Sequence, residues 1–167
     1  KTVKPRILPE DHEIAACQRE IINPQWKWAY GMIATFGLRP HELFHIDQEK
    51  FKSDGLVHVC KGKIGERLVF PFYPEWVETW DLKDIQSPQV SGKTNSDVGM
   101  RVTRAFSRLK VPFPAYHLRH CWAVRTIDFG LDISLASMQM GHSTKVHTDL
   151  YHRWITEKHQ QRVFDAL

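Results

Sequence analysis

The 167-residue sequence lacks several features that would place it in whole classes of proteins. It has no apolar run near the ~20 residues of a membrane-spanning helix, and it has no signal-peptide pattern. Its three cysteines, Cys17, Cys60 and Cys121, show no close pairing, and their odd number indicates reduced thiols in the cytosol rather than a disulfide framework. Internal repeats and low-complexity tracts are also absent. We therefore expect one cytosolic domain with a core of its own.

The charge balance is modest and basic. The formal net charge is +4 and the isoelectric point is about 9.0. These values are compatible with a polyanionic partner such as nucleic acid, although many basic proteins bind none. The chain begins with Lys1 rather than Met, so we expect the C-terminal piece of a longer protein.

The hydrophobic pattern predicts a mainly α domain with a small antiparallel β-sheet, an α+β fold. Two short runs with strand periodicity, residues 56–60 and 67–70, flank a basic hairpin loop. A polar stretch from 83 to 95 is typical of an exposed loop, after which Asn95 or Ser96 caps a helix. The predicted helices cover about residues 10–22, 25–36, 40–44, 74–82, 96–109, 118–151 with breaks at Gly130 and Gly141, and 156–166.

A short segment between two predicted helices has the chemistry of an anion site. Gly37 ends one helix, Arg39 precedes the next, and Glu42 lies three residues further on. A guanidinium beside the backbone N–H groups of a helix start can bind an oxyanion, and Glu42 can orient it. A surface arginine with a local glutamate partner explains the same pattern about equally well.

The predicted hairpin carries two lysines, Lys61 and Lys63. A lysine at a hairpin tip can reach a phosphate or donate a proton to a leaving oxygen. A solvated turn has the same composition, and taken alone it is the more frequent case.

Two further segments collect histidine, tyrosine and arginine. Residues 116–120 read YHLRH at a predicted helix start, and residues 140–143 read MGHS at a helix break. Tyr151 follows His142 by nine residues. His120 follows an arginine at the head of an apolar helix, and a histidine in such a position is often buried and hydrogen-bonded.

Taken in order, these four segments resemble the tyrosine recombinase (phage integrase) family. The family pattern has a GLR-x-x-EL box, a lysine in a β-hairpin, an H-x-L-R-H box, and LGH with a tyrosine nine residues after its histidine. Each box alone is weak, but chance seldom reproduces four boxes and the final spacing. The resemblance covers the whole chain. It implies the family's DNA breaking-rejoining catalytic fold for residues 1–167, without the N-terminal core-binding domain of an integrase.

The resemblance implies a role for each matching residue. Arg39 and Arg119 match the two catalytic arginines, which hold the non-bridging phosphate oxygens, and Glu42 matches the acidic residue paired with the first arginine. His142 matches the LGH histidine, which hydrogen-bonds a phosphate oxygen. Tyr151 matches the nucleophile, and a 3′-phosphotyrosine with a free 5′-hydroxyl is the implied intermediate.

The catalytic lysine has two candidates. Residues 63–67 resemble the KTG hairpin of phage integrases, which favours Lys63 as the general acid for the 5′-oxygen. Lys61 is the runner-up because the Xer-type hairpin places its lysine a little earlier.

One position departs from the pattern. The first histidine of H-x-L-R-H falls on Tyr116, and the neighbouring His117 faces elsewhere on a helix. A phenol can hydrogen-bond a phosphate oxygen, but with a reference pKa of about 10 it is a poor base near neutral pH. We expect Tyr116 to position the phosphate, and the general base to be Glu42 or bulk water.

The predicted reaction needs neither a cofactor nor a metal, because fixed positive charge replaces a metal ion at the phosphate. A rival metal site would use His41 with His45, or His142 with His147 and His152. Neither group has an accompanying cysteine or carboxylate cluster in a ligand pattern.

The implied partners are double-stranded DNA and further copies of the chain. Arg101, Arg104 and Arg108 are spaced to share one helix face and, with Lys61, would contact the DNA backbone; a solvated face explains any single arginine equally well. The resemblance also implies a tetramer on DNA, with the segment from Ile155 to the C-terminus docked on a neighbour.

Three functions share these features. The leading prediction is a site-specific recombinase or integrase catalytic domain that cleaves and rejoins DNA without ATP. A type IB topoisomerase uses the same chemistry to relax supercoils, but the hairpin lysine and the GLR and LRH boxes favour the recombinase. A degenerate integrase that only binds DNA is suggested by Tyr116 alone.

Overall fold

In the computed structural model, residues 7–60 and 67–167 are described. Two 3₁₀ helices, Pro40–Phe44 and His152–Trp154, accompany the α-helices and strands. The α-helices are α1 Asp11–Glu20, α2 Pro24–Phe36, α3 Gln48–Asp54, α4 Glu75–Thr79, α5 Asn95–Arg108, α6 Ala115–Phe129, α7 Ile133–Met140, α8 Thr144–Tyr151 and α9 Glu157–Asp165.

The two strands, β1 Val57–Val59 and β2 Arg67–Val69, pair antiparallel, with Val57 opposite Val69 and Val59 opposite Arg67. The mainly helical fold with a small antiparallel sheet, predicted from the sequence, is confirmed. Val57, Val59 and Val69 are buried, so one face of the sheet covers the core. The sheet thereby holds Arg67, the first residue of β2, next to the helical core.

The core is built around α2, whose residues from Trp28 to Phe36 are all buried. A helix that is buried on every side must be apolar all round, which explains the aromatic-rich sequence of this segment. α6 packs against it, with Trp122 fully buried beside the end of α2. Gly37 ends α2 with a left-handed φ of +62°, and a Cβ there would lie 2.6 Å from the Trp122 Cβ. Only glycine fits this turn.

Buried Arg125 ties three helices together. From α6 it donates to the carbonyl of Ala34 at 2.9 Å and lies 3.4 Å from an Asp11 oxygen. Its guanidinium also stacks over the rings of Tyr73, which precedes α4, and Trp76, which lies in the first turn of α4. This arginine anchors α1, α2 and the start of α4 to one side of α6.

Three local predictions differ from the structure. The cap of α5 is Thr94, whose hydroxyl accepts from the Asp97 N–H at 3.1 Å, rather than Asn95 or Ser96. α4 ends at Thr79, short of residue 82. The sequence pattern also missed α3, a seven-residue polar helix with Phe51 as its buried anchor, because one apolar residue gives no periodicity.

Among residues 7–60 and 67–167, no helix is both long and apolar enough to cross a membrane.

Candidate active site

Three arginines meet at the C-terminal end of α7. The carbonyls of Gln139, Met140 and Gly141 accept, in that order, from Arg67 Nε at 2.8 Å, Arg119 at 2.6 Å and Arg39 at 3.4 Å. We call this set the arginine cluster. The last carbonyls of a helix have no partner inside it and carry partial negative charge, so the helix end can gather positively charged side chains.

Arg119 is the most buried member of the arginine cluster, with 4% of the residue exposed. It joins two helix ends, because its other terminal nitrogen donates to the Gly37 carbonyl at 2.8 Å. Burial, and then the nearby charge of Arg39, lower the pKa of Arg119 to about 10, so the group remains cationic at neutral pH. The Gly37 and Met140 carbonyls thus hold this guanidinium in one position.

Arg39 is the most accessible member, with 27% of its side chain exposed. It stands at the start of the first 3₁₀ helix, where its backbone N–H donates to Glu42 at 2.7 Å, and its guanidinium lies 3.6 Å from that carboxylate. Glu42 therefore contacts both the backbone and the guanidinium of Arg39, and its role in orienting Arg39 for catalysis stays a prediction.

Glu42 binds a second arginine more closely than it binds Arg39. Its two carboxylate oxygens accept from the two terminal nitrogens of Arg67, one of them at 2.9 Å. Burial raises the pKa of Glu42, but the hydrogen bonds and charge of Arg67 outweigh burial and lower the pKa to about 2. A carboxylate held in this way is a structural anion and a weak proton acceptor.

Arg67 is the member that sequence reasoning missed. The strand pattern placed it at the start of β2 without a role, although a charged residue opposite buried Val59 in a three-residue strand was a usable signal. It also lies against Gly141, where an added Cβ would stand 3.0 Å from its guanidinium carbon. Gly141 is left-handed, with φ +73°, so glycine there serves both the turn and the approach of Arg67.

Tyr151 ends α8 and is buried, with 2% exposure. Its hydroxyl is hydrogen-bonded to Nδ1 of His120 at 2.8 Å. Its ring also packs against those of His147 at 4.9 Å and Trp154 at 5.8 Å between centroids. The predicted nucleophile is thus enclosed by aromatic rings and already paired with an imidazole.

His142 connects Tyr151 with the arginine cluster. It directly follows Gly141, and its ring lies 6.3 Å from that of Tyr151. Its Nε2 is hydrogen-bonded to Nδ1 of buried His147 at 2.9 Å. Burial, followed by the charge of Arg119, lowers the pKa of His142 to about 3 and also lowers that of His147. Both imidazoles are therefore neutral at physiological pH.

The other predicted site residues are more dispersed. Tyr116 is 47% exposed on the first turn of α6, and its ring lies 6.4 Å from that of His120. Lys61 and Lys63 lie outside the described residues, so both lysine assignments stay predictions.

The three arginines of α5 share an exposed face, as their spacing predicted. Arg101, Arg104 and Arg108 line one shallow depression together with Trp26. Their contact with DNA stays a prediction.

The C-terminal helix α9 packs on its own chain. His159 lies 2.7 Å from an Asp128 carboxylate oxygen, and Arg162 donates to the Ile127 carbonyl at 2.8 Å, both near the end of α6. Val163 and Phe164 remain exposed. Docking on a neighbouring copy stays a prediction.

The two histidine sets considered for a metal have other contacts. The rings of His41 and His45 lie 6.4 Å apart, and Nε2 of His45 is hydrogen-bonded to Oδ1 of Asn95 at 3.2 Å. His142 and His147 are hydrogen-bonded to each other, and His152 is bonded to the Thr148 carbonyl at 3.0 Å. Between residues 7 and 60 and from 67 onward, no group of three or more His, Cys, Asp or Glu side chains is arranged to hold a metal ion.

No protein-family model matches this chain. Excisase C of Nostoc sp. is 36% identical over 154 residues, which cover 83% of this chain and 31% of that protein. The tyrosine recombinase XerD of Vibrio vulnificus is 28% identical over 152 residues, covering 78% of this chain and 49% of that protein. The chain thus spans a third to a half of the length of these relatives.

Solved structures show the same fold. XerA recombinase superposes with a TM-score of 0.63 at 16% identity, over 99% of this chain and 65% of that one. The Tn1549 transposon integrase, solved in complex with circular intermediate DNA, gives 0.60 at 13% identity, over 99% of this chain and 68% of that one. The mainly helical fold with its small antiparallel sheet is that of tyrosine recombinase catalytic domains. The chain belongs to the tyrosine recombinase (integrase) family and corresponds to its catalytic domain.

Proposed function

We propose that this chain cleaves and rejoins DNA strands in site-specific recombination, with Tyr151 as the covalent nucleophile. The observation that carries the proposal is the arginine cluster, fixed beside Tyr151 through His142. Guanidiniums bind non-bridging phosphate oxygens through paired hydrogen bonds, which strengthen as charge develops in the transition state.

The proposed reaction has four parts. The Tyr151 oxygen attacks the scissile phosphorus in line, and the bond to the 5′-oxygen breaks. Arg39 and Arg119 hold the non-bridging oxygens, while neutral His142 donates a hydrogen bond to one of them. Lys63, or Lys61 as the alternative, protonates the leaving 5′-oxygen. Rejoining reverses these steps, and the phosphotyrosyl bond keeps the energy that ligation needs.

The proposed partner is double-stranded DNA, bound by a tetramer of the chain. Structural relatives of the family include an integrase solved with DNA, and the exposed face of Arg101, Arg104 and Arg108 adds positive charge for backbone contacts.

A covalent-capture experiment tests the proposal. The 167-residue chain is incubated with a pool of nicked duplexes whose sequence around the nick is randomised, and protein–DNA adducts are isolated under denaturing conditions and sequenced. We expect an adduct that disappears in Tyr151→Phe, which removes only the nucleophilic oxygen. Tyr73→Phe is the control, since that tyrosine lies by Arg125, and it should keep the adduct.

Three outcomes would contradict parts of the proposal. An adduct that persists in Tyr151→Phe excludes Tyr151 as the nucleophile. DNA binding without any adduct would identify the degenerate, non-cleaving module. Relaxation of supercoiled plasmid that lacks the captured sequence would instead identify topoisomerase-type activity.

A further inference from the structure

The proposed reaction lacks a general base at the position where the family pattern has a histidine. Tyr116 occupies that position, is half exposed, and carries a phenol, which is a poor base at neutral pH. Glu42 is bound by both terminal nitrogens of Arg67, and this pairing outweighs burial and lowers its pKa to about 2. Bulk water has little access to Tyr151, of which 2% is exposed. None of the three is well suited to take the nucleophile's proton.

His120 has the geometry that the other candidates lack. It lies one helical turn beyond Tyr116 on α6 and is buried, with 9% exposure. Its Nδ1 is 2.8 Å from the Tyr151 hydroxyl oxygen, and the two rings meet edge to face at 5.6 Å. A base must lie within about 2.6–3.2 Å of the atom whose proton it takes, and this contact meets that requirement before DNA arrives.

The other imidazoles near Tyr151 are occupied differently. Nε2 of His142 and Nδ1 of His147 are hydrogen-bonded to each other at 2.9 Å. His117 lies three residues before His120 on α6, with ring centroids 6.4 Å apart, and the imidazole within hydrogen-bond distance of the Tyr151 hydroxyl is that of His120. His120 is therefore the imidazole whose nitrogen meets the reacting oxygen.

We propose that His120 is a catalytic residue, the general base that accepts the Tyr151 proton. This assignment rests on the proposed function of Tyr151. As the Tyr151 oxygen forms its bond to phosphorus, the proton moves to Nδ1 of His120, and the bond from phosphorus to the 5′-oxygen breaks. The leaving oxygen receives a separate proton from the hairpin lysine. In rejoining, His120 returns its proton to Tyr151. The step requires the tautomer that carries its ring proton on Nε2.

The chemistry predicts a pH dependence that His120 controls. A general base must be unprotonated to act, so cleavage should rise with pH as His120 becomes able to accept a proton. His142 and His147 are already neutral at neutral pH, mainly because they are buried. The titratable or charged groups near this pair are Tyr116, His117 and Arg119 on α6, His142 just before α8, and His147 within α8. His152, His159 and Arg162 line a groove together with Tyr151.

The test uses a duplex obtained by covalent capture and measures the single-turnover rate of adduct formation from pH 5 to 9. In His120→Asn the amide can replace Nδ1 as a hydrogen-bond partner but cannot take the proton. We expect its rate to fall about 10²-fold or more and its rise with pH to disappear, since general-base catalysis contributes about 10²–10⁴-fold. His117→Asn is the matched control and should keep the rate and profile of the unmodified chain.

A modified substrate separates the base from the acid. A 5′-bridging phosphorothiolate has a leaving group that needs no proton. It should restore cleavage in Lys63→Ala but leave the defect of His120→Asn unchanged. Thermal unfolding and DNA affinity of each variant are measured alongside, so that a loss of fold is recognised.

Several results would overturn the assignment. A His120→Asn rate within about threefold of the unmodified rate, or above it, would show that the hydrogen bond only holds Tyr151. A flat profile of the unmodified chain from pH 5 to 8 would have the same consequence. Independently of activity, nitrogen NMR of labelled histidine would contradict it if Nδ1 of His120 carries the proton at pH 8 in the DNA-free chain. Absence of any Tyr151-dependent adduct would instead contradict the proposed function.

Discussion

At the scale of single residues, the site depends on how charged groups are paired. Glu42 and Arg67 are held by two hydrogen bonds, and the same carboxylate receives the backbone N–H of Arg39. Removing one member of a buried pair leaves the other charge uncompensated. Substitutions at this pair should therefore affect stability as well as the position of Arg39.

The depressed pKa of Glu42 predicts acid sensitivity. Its pKa falls from 4.5 to about 2 on folding, so its extra stability is fully present above pH 4.5 and is lost as the pH falls toward 2. The contribution is on the order of 3 kcal/mol. Glu42→Gln should lower the free energy of unfolding at pH 7 and weaken its decline between pH 5 and 3, as measured by urea titration. Glu13→Gln, an exposed change, is the control. An unchanged decline in Glu42→Gln would contradict the pairing.

Tyr116 offers a second prediction at this scale. Because the side chain is 47% exposed and near the proposed phosphate, histidine should fit without repacking. Tyr116→His should keep or raise the rate of adduct formation on a captured duplex. Abolished cleavage with intact folding would mean that the phenol has a specific role of its own.

The site residues that could be predicted from the sequence are those for which a residue type and a fixed spacing carry the chemistry. The spacing of Arg39 from Glu42, and of His142 from Tyr151, was readable, and the structure brings these residues into one region. Arg67 and His120 were not assigned functions, because their partners lie 25 and 31 residues away in sequence. Such pairings depend on how α6, α8 and β2 pack, which no local pattern contains.

At the scale of elements, the C-terminal ends of helices position the arginines of the site. α2 ends at Gly37 and α7 at Gly141, both left-handed, and their terminal carbonyls face arginines. The positions of these breaks were predicted from the glycines. Their use as guanidinium acceptors was not, because the sequence does not tell which side chain will reach a free carbonyl.

Gly37→Ala should be strongly destabilising. A left-handed φ costs a non-glycine residue roughly 1–2 kcal/mol, and the new Cβ would lie 2.6 Å from that of Trp122. We expect a loss of at least about 2 kcal/mol in the free energy of unfolding, measured by denaturant titration. In Gly99→Ala, within α5, the new Cβ would find its nearest neighbour at 3.9 Å. This control should be neutral or stabilising by up to about 1 kcal/mol. Equal effects at both sites would refute the packing argument.

At the scale of the whole molecule, the arginines of α5 form an exposed basic face, whereas other arginines are buried. Arg101, Arg104 and Arg108 are exposed on α5, whereas Arg119 and Arg125 are buried and bound to carbonyls. Net charge alone did not separate these two groups. Only the packing of α5 and α6 decides which arginines can meet an external phosphate.

DNA binding should depend on salt through this face. Each phosphate contact contributes about 0.9 to the slope of log affinity against log salt. Changing Arg101, Arg104 and Arg108 together to Gln should reduce the slope by up to about 3, as measured by fluorescence anisotropy with a duplex of random sequence. Arg19→Gln, an exposed arginine on α1, should leave it unchanged. A triple variant with the parental slope would remove α5 from the interface.

The three carbonyls at residues 139–141 have a consequence for folding. These carbonyls accept hydrogen bonds from three guanidiniums, and the carboxylate of Glu42 neutralises one of the three positive charges. An excess of two positive charges therefore remains in one place. A phosphodiester is a natural counter-ion for this excess, and a ligand that binds only the native state stabilises that state by mass action. Under the proposed function, the scissile DNA would complete the charge balance of the folded site, and binding it would raise the free energy of unfolding.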